Sequence, residues 1–361
     1  MAELLVYFHG DFKLHDPSPY SHPENPGRLE RALRALSDLQ GLTIVEPPEG
    51  DAGVYTSVHS PSYLKSILSE AGYGVVWLDA DTYVSRGSVK AIRRLAGAAV
   101  EAVKAAAGGG SALILGRPPG HHAGVAGRAL GAPTSGFCLV NTAALVARLL
   151  AKDHDSPVLV FDFDVHHGNG TQEIFWVDPD VIHIDIHQDP RYLYPGTGYP
   201  EDLGSGEARG TKINIVTPPS AGDDVYLHSL EIVEAIVREV SPSFIVFSAG
   251  FDAYRGDNDF AIANVGSKFY WEAARRLAGL ARGVVAVLEG GYGEGLSRGL
   301  KAFAAGLVGL EDPIRDKPLS TSVYGVKMYS RALERLKDAL KRSGVAYWSA
   351  VNPPEDLSPH H

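Results

Sequence analysis

Apolar residues recur along the chain in short continuous runs, each followed by a glycine-rich or charged turn and then by a longer stretch with helical spacing. This alternation predicts an α/β fold. Runs that are apolar throughout are typical of parallel strands covered on both faces. Strands are therefore predicted at 112–115, 157–161, 181–184, 212–216, 244–247 and 284–288. Helices are predicted at about 27–39, 86–107, 141–152, 225–240, 266–282, 294–309 and 328–342.

The segment from about 188 to 210 is rich in glycine and proline and lacks periodicity, which predicts an ordered functional loop more than a linker. The chain has no internal repeat and no convincing domain break, so one domain is predicted for residues 1–361. The last residues, about 350–361, are expected to be loosely held, with His360 and His361 at the surface and not in a metal site.

Composition and charge exclude several classes of protein. A chain of 361 residues with 45% hydrophobic content can bury a large core. A formal net charge of −10 argues against a nucleic-acid partner, because phosphate binding depends on Lys and Arg, and it favours a cationic substrate. No segment reaches the ~18 uninterrupted apolar residues that span a bilayer, and the start resembles no signal peptide. A cytoplasmic protein without a membrane partner is expected.

The densest polar cluster is DFDVHHGNG, 162–170, at the carboxyl end of a predicted strand, where open parallel sheets bind ligands. Alternation along an extended chain places Asp162, Asp164 and His166 on one side and His167 on the other. Because Cys138 is the only cysteine, any metal must be held by His and carboxylate groups. The cluster therefore predicts half of a metal site. Surface-turn polar residues are the alternative, but burying unpaired carboxylates at a strand end is costly.

A second cluster, PPGHHAG (118–124), follows the strand at 112–115. Its glycines permit the tight bend that would let His121 and His122 reach one pocket, although satisfied turn histidines are the plainer interpretation.

Three further motifs end at the same edge of the predicted sheet. Asp252 follows the strand at 244–247, where an Asp is usually a helix N-cap. Tyr292 lies on a glycine-rich turn in LEGGYGEG, from which its hydroxyl could reach a cleft or its ring could simply pack. Asp185 and His187 lie in IDIHQDP.

Together these motifs resemble the histone deacetylase, acetoin-utilisation and acetylpolyamine amidohydrolase superfamily. The resemblance covers residues from about 5 to 310 and rests on motifs that occur in the same order: HPENPGRL, PPGHHAG, SGFCLVN, DFDVHHGNG, YPGTG, SAGFDA and EGGY. Asn169 and the DADTY segment (79–83) resemble the bacterial and polyamine-related branch. The resemblance implies the three-layer arginase/deacetylase fold, a mostly parallel sheet of about eight strands between helices, and hydrolysis of an acetyl amide.

A helical extension is predicted for residues of about 311–345, beyond the region of resemblance. It could pack on the core or form a contact in a homo-oligomer.

The resemblance implies that Asp164, His166 and Asp252 bind the metal ion. Zinc is expected, although iron or cobalt could be held by the same ligands. The open coordination position would take the attacking water and the substrate carbonyl.

A structural monovalent cation, K or Na, is also implied. Its ligands would be oxygens of Asp162 and Asp164 and backbone carbonyls near His166, Asp185 and Ile186. Asp185 stands where the family more often has Ser, so the extra carboxylate should strengthen cation binding or alter the preferred ion.

Catalytic roles follow from the same resemblance. If Asp162 pairs with His121, its charge favours an imidazolium, whereas the neutral Asn169 gives His122 no such stabilisation. His122 is therefore the candidate general base and His121 an electrostatic stabiliser. Tyr292 would donate its hydroxyl to the developing oxyanion.

Phe137 and Tyr194, with Gly136 and Gly290, match the family's acyl-amine tunnel. The substrate could be acetyl-lysine, an acetylated polyamine or another small acetyl amide. Asp259 stands at a substrate-gate position, where an acidic group would attract the second ammonium of a polyamine. A solvated loop Asp is the plainer interpretation.

Other functions are weaker fits. An arginase-like two-metal hydrolase needs more bridging carboxylates, and Asn169 stands where it would have an acidic ligand. A non-catalytic acetyl-ligand binding protein would keep the pocket but lack the base or the oxyanion donor, whereas His121, His122 and Tyr292 are all present here. A nucleotide-binding module would need a GxGxxG after the first strand or a P-loop Lys, and the sequence has neither.

Overall fold

A computed structural model describes residues 3–153, 157–257 and 261–354 of the protein. At its centre lies an eight-stranded sheet in which every neighbouring pair of strands is parallel. In chain order the strands are β1 (Leu4–Tyr7), β2 (Leu42–Val45), β3 (Ser111–Ile114), β4 (Val158–Asp162), β5 (Val181–Gln188), β6 (Lys212–Thr217), β7 (Phe244–Ala249) and β8 (Gly283–Leu288). Their order across the sheet is β6-β5-β4-β7-β8-β3-β1-β2. The predicted α/β fold with a parallel sheet of about eight strands is confirmed.

Helices cover this sheet. They are α1 (Gly27–Leu36), α2 (Pro61–Glu70), α3 (Ser88–Ala107), α4 (Thr142–Asp153), α5 (Asn169–Ile174), α6 (Asp223–Val240), α7 (Ser267–Ala278), α8 (Leu300–Leu307) and α9 (Val323–Ser343). Helices α3 and α4 pack together against the central strands, while α7 packs between α6 and α8. The layers therefore match the predicted arrangement of a sheet between helices.

An aromatic cluster fixes the segment that leaves β4. Phe163, the first residue after the strand, is fully buried, and its ring lies 5.4–6.2 Å from the rings of Phe247, Phe251, Phe269 and Phe303. Aromatic pairs at such separations add stability beyond the area they bury. Because Phe163 is anchored on this side, the polar residues on either side of it in the sequence are directed away from the aromatic cluster.

The strand order brings the polar motifs together. Strands β4, β7, β8 and β3 are neighbours, and being parallel they all end at the same edge of the sheet. The segments that follow these four strands carry the residues that the sequence singled out. Groups that are far apart in the chain therefore meet at one edge.

Several elements differ from the predicted ones. Strands β1 and β2 and helices α2 and α5 were not predicted; β2 is a partly exposed edge strand, and α5 is only six residues long. The helix predicted at 294–309 is divided into a π-helical turn, Gly295–Gly299, and α8. A Cβ atom at Gly295 would overlap the carbonyl oxygen of Phe251, so this turn packs too closely for a larger residue.

Helix α9 packs on the core, against the edge strand β6. It buries Tyr329, Leu333, Leu336 and Leu340, and the Tyr329 hydroxyl lies 2.7 Å from Ser229 Oγ of α6. Of the two interpretations of the extension, the structure supports packing on the core; that residues 1–361 form one domain stays a prediction. Of the predicted loose tail, Val351 is instead fully buried in the core, and residues 355–361 lie outside the described residues. Among the described residues, no helix combines the length and hydropathy that crossing a bilayer requires.

Candidate active site

Three predicted metal ligands meet at the carboxyl ends of β4 and β7. His166 Nδ1 lies 3.0 Å from Asp164 Oδ1 and 3.0 Å from Asp252 Oδ2. The three ligand atoms all lie within 4.8 Å of one another, and the three side chains are buried. Two carboxylate oxygens and one imidazole nitrogen form a donor set that suits zinc. We call these residues the triad.

Backbone groups hold the triad in place. The N–H of Val165 donates to Asp252 Oδ1 at 3.0 Å, and the N–H of Gly290 donates to Asp164 Oδ2 at 2.9 Å. A Cβ atom at Gly290 would overlap Asp164 Oδ2 and lie 2.5 Å from Asp252 Oδ2. Gly290 therefore contacts the carboxylates of the triad directly, and only glycine permits that approach.

The electrostatics of the triad fit a cation. Burial and the charge of Asp164 raise the pKa of the Asp252 carboxyl group. Burial opposes protonation of His166, but the carboxylates of Asp252 and Asp164 outweigh it and raise the pKa of this imidazole. Without metal, the imidazole of His166 therefore favours its protonated form, with the proton held between the two carboxylates. A divalent ion would replace that proton and balance both charges, as is usual when metals bind to ionisable ligands.

Asp162 does not join the triad, although alternation along the chain placed it on the same side. Strand β4 ends at this residue, and its carboxylate Oδ2 lies 3.0 Å from Nδ1 of His121 in the turn after β3. In the same turn, His122 Nδ1 lies 2.8 Å from Asn169 Oδ1. The structure therefore brings each histidine together with the partner that the resemblance implies.

The two neighbouring histidines have opposite shifts in pKa. Burial disfavours a charge on His121, but Asp162 and Asp164 outweigh burial and raise its pKa well above the usual value. Burial and the charge of His121 lower the pKa of His122 well below the usual value. His121 is therefore charged and His122 neutral at neutral pH.

The turn that carries His121 and His122 is called the histidine turn. Two buried residues that sequence reasoning missed hold it in place. Glu289 Oε2 accepts hydrogen bonds from the N–H groups of Gly120 at 2.7 Å and His121 at 3.1 Å. His59 Nδ1 lies 2.7 Å from the carbonyl oxygen of Gly124. Glu289 stands at the end of an apolar strand, and that unusual position was the signal that could have identified it.

A cavity of about 580 Å³ opens above the triad and the histidine turn. It is lined by Phe137, Tyr194, Gly136, Tyr292, His122 and His166, with His22, Trp77, Asp81 and Tyr192 among the other lining residues. The rings of Phe137 and Tyr292 are nearly perpendicular, with centroids 5.8 Å apart. The cavity thus has histidines at its bottom and aromatic side chains along its walls.

The backbone of Gly136 and Phe137 is shaped to form one wall. Gly136 has φ of +55°, and a Cβ atom there would lie 2.5 Å from Cδ2 of His122. Phe137 also has a positive φ, +69°, and its N–H donates to Thr82 Oγ1 at 2.9 Å. Because left-handed backbone is unfavourable for Phe, this hydrogen bond helps to keep the ring in the wall.

Tyr292 is positioned from two sides. The Arg28 guanidinium donates to the carbonyl oxygen of Gly291 at 2.8 Å and lies over the Tyr292 ring, 4.7 Å from its centroid. The carboxylate of Asp257 accepts the N–H groups of Tyr292 and Gly293, both at 2.8 Å. Sequence reasoning missed this role of Arg28 because the backbone carbonyl groups that it holds, those of Glu289 and Gly291, lie more than 250 residues away.

Two remaining sequence predictions concern other parts of the structure. Asp185 and Ile186, proposed around a monovalent cation, lie in β5 beside β4. Asp259, the proposed gate, lies outside the described residues. Its role stays a prediction.

Comparisons with known proteins find a matching family, related sequences and a similar solved structure. The family model described as the histone deacetylase domain matches residues 22–307 of this chain. An uncharacterized protein of Methanocaldococcus jannaschii is 43% identical over 302 residues, which are 82% of this chain and 85% of the relative. A probable deacetylase of Methanothermobacter thermautotrophicus is 41% identical over 315 residues, 85% of this chain and 92% of the relative. The crystal structure of the HDA15 HD domain superposes with a TM-score of 0.83 at 29% identity, covering 96% of this chain and 98% of that one.

Replacing Gly290 tests whether the triad is a metal site. In Gly290→Ala we expect the affinity for Zn²⁺ or Co²⁺ to fall by about 10- to 100-fold, the usual range for changes to the groups that orient metal ligands. The measurement is competition with a chelator of known affinity. Gly279→Ala is the matched control, because its Cβ would meet no atom within 4 Å. Equal affinity in both variants and the wild type would contradict the assignment.

Proposed function

This chain belongs to the histone deacetylase family of amide hydrolases, and we propose that it is a zinc-type deacetylase that hydrolyses the acetyl amide of an acetylated amine. One observation carries the proposal. His166 of the triad and the neutral imidazole of His122 line the same cavity, so a metal ion held by the triad and a base would act on one bound amide.

The triad would hold the ion. A bound divalent ion supplies Lewis-acid chemistry, which polarises an amide carbonyl and makes a water molecule more acidic. Two carboxylates and one imidazole support zinc, and they are also compatible with iron or cobalt.

His122 is proposed as the general base. Asn169 Nδ2 donates to the carbonyl oxygen of Ala129 at 2.9 Å, which fixes the amide so that Oδ1 faces His122. Since Oδ1 can only accept, His122 carries its proton on Nδ1 and keeps a lone pair on Nε2. A neutral imidazole with that lone pair can take a proton from the attacking water and return it to the leaving amine.

His121 is proposed as the electrostatic stabiliser. It is buried and keeps its proton through Asp162, so it is a poor base and a fixed positive charge beside the reacting groups. A charge fixed before reaction stabilises a developing oxyanion without reorganisation. Asp162 and Asn169 thus set different roles for two adjacent histidines.

Tyr292 is proposed as the donor to the oxyanion. Its ring lines the cavity, and burial raises the pKa of its hydroxyl well above the usual value, which keeps the proton available for donation. Arg28 and Asp257 fix the turn that carries it.

The substrate is proposed to be an acetyl amide at the end of a narrow alkyl arm, such as acetyl-lysine, an acetylated polyamine or a similar small amine. The aromatic walls formed by Phe137 and Tyr194 support contact with methylene groups. Asp81 in the cavity and the net charge of −10 favour a substrate that carries positive charge.

Acetate release tests this function. Metal-loaded protein should release acetate from at least one member of a panel of acetyl-lysine peptide, acetylputrescine and acetylspermidine, and Asp164→Ala should abolish the release. The ratio of peptide to polyamine turnover distinguishes the two substrate classes. No release that depends on Asp164 would contradict the proposed function.

A second test isolates the oxyanion donor. In Tyr292→Phe we expect kcat to fall by about 10²- to 10³-fold with little change in KM, since one donor to the transition state is lost. Tyr324→Phe, on the exposed start of α9, is the matched control. A wild-type kcat in Tyr292→Phe would remove Tyr292 from the mechanism.

A further inference from the structure

A second cavity, of about 210 Å³, lies between the loop of residues 189–200 and helix α9. Three arginines line it, Arg191 from the loop and Arg331 and Arg335 from the helix. We call this cavity the arginine pocket. On a chain with a formal net charge of −10, such a concentration of positive charge needs a physical reason. The loop beside it belongs to the segment that the sequence predicts to be functional.

One face of α9 carries two of these arginines. Arg331 and Arg335 are four residues apart and therefore lie on the same face of the helix, and Met328, about one turn earlier, lines the pocket beside them. Leu333 and Leu336 are buried in the core instead. Like charges at a spacing of four residues destabilise a helix. The two arginines thus lower the stability of α9, which favours a role in binding over a structural one.

Carboxylates hold two of the three guanidinium groups in place. Asp189 accepts a hydrogen bond from Nε of Arg191 at 2.9 Å and another from its Nη2. Glu201 accepts from Nε and Nη2 of Arg335, both at 2.7 Å. Among the described residues, Nη1 of neither arginine has a hydrogen-bond partner, so donors remain for a ligand. Groups that are fixed before binding lose less conformational entropy when the ligand binds.

Arg331 carries the charge that the pocket leaves unbalanced. It lines the pocket but makes no hydrogen bond or ion pair with any residue that the structure describes. Asp189 and Glu201 balance the charges of Arg191 and Arg335, so the charge of Arg331 remains. A carboxylate matches the planar fork of a guanidinium group and forms charge-assisted hydrogen bonds with it. The pocket therefore suits one anionic group.

The size of the pocket limits what that group can belong to. Pockets that enclose a drug-sized ligand have volumes of roughly 300–1,000 Å³, so a cavity of about 210 Å³ fits one acidic side chain or chain terminus better than a whole cofactor. Its other walls include Tyr199, Pro200 and Val216, which can pack against the methylene groups that carry a carboxylate.

The arginine pocket adjoins the cavity above the triad. Tyr192 lines both cavities, and the next two residues, Leu193 and Tyr194, line the larger one. One turn of chain therefore separates the two cavities. The Tyr192 side chain is 60% exposed, and the Arg191 guanidinium lies over its ring, 5.5 Å from the centroid. A substrate whose acetyl amide reached the triad would have its neighbouring groups close to the arginines.

We propose that the arginine pocket binds a carboxylate that the acetylated substrate carries near its acetyl amide. This proposal rests on the proposed deacetylase function and narrows its substrate to an acetyl-lysine peptide with an acidic group close to the acetyl-lysine. Such a peptide can carry charges of both signs, which suits Asp81 in the larger cavity and Arg331 in the pocket. An acetylated polyamine has no anionic group for the arginines.

Turnover of paired peptides tests this recognition. The metal-loaded full-length protein is given acetyl-lysine peptides in pairs that differ only by Asp or Asn, placed at successive positions on either side of the acetyl-lysine. At one or more positions we expect kcat/KM for the Asp peptide to be higher by roughly 10-fold, a gain typical of a hydrogen bond to a charged group. The gain should appear mainly in KM and should shrink as salt is added, because salt screens exposed charges.

Two variants of α9 show whether the preference comes from the pocket. Arg331→Gln should make the two peptides of each pair equal and leave kcat/KM for the Asn peptides unchanged. Lys327→Gln is the matched control, because Lys327 is also an exposed cation of α9 but is not among the described residues that line the pocket. It should keep the preference for Asp. A wild type without that preference, or an Arg331→Gln protein that retains it, would overturn the proposal.

Binding without turnover separates this proposal from the function on which it rests. Fluorescence anisotropy gives the Kd of labelled Asp and Asn peptides for metal-stripped protein, and we expect tighter binding of the Asp peptide that Arg331→Gln removes. That result without any acetate release would support the pocket and reject the deacetylase function. Succinate serves as a free dicarboxylate. If it raises the Tm of the wild type but not of Arg331→Gln, while Asp and Asn peptides bind equally, the pocket binds a free anion and the proposed substrate recognition is wrong.

Discussion

Buried carboxylates at the carboxyl edge of the sheet are the constraint on which the rest of the structure depends. Asp162, Asp164, Asp185 and Asp252 are almost completely removed from water, and each unpaired charge in such a place is costly. The protein offsets this cost with backbone N–H groups and with imidazoles placed between carboxylates. The same arrangement creates places for cations and determines which histidine holds a proton.

The fold satisfies this constraint through strand order and glycine. Four neighbouring parallel strands, β3, β8, β7 and β4, deliver their polar residues to one edge. Gly290 and Gly168 then let the backbone approach the carboxylates more closely than any other residue would allow. Below the edge, the aromatic cluster around Phe163 fixes where the β4 segment turns. Aromatic packing on one side of the β4 segment thus positions the polar side chains on its other side.

Much of this could be predicted because the relevant patterns are local. The six apolar runs mark β3 to β8, and the polar motifs that follow them contain the triad and both histidines. Contacts between distant residues could not be predicted in this way: Glu289 and Arg28 act on backbone groups well over 100 residues away. Asp162 was grouped with the triad because alternation was extended past the end of β4, where the backbone is no longer a strand.

The account rests most directly on an ion held by Asp164, His166 and Asp252 in the active protein. A crystal structure of metal-loaded protein that releases acetate, measured at the absorption edge of the metal, would locate that ion by its anomalous scattering. We predict an anomalous peak about 2.0–2.2 Å from an oxygen of each carboxylate and from the imidazole nitrogen. Active crystals with no peak between these three side chains would contradict the account.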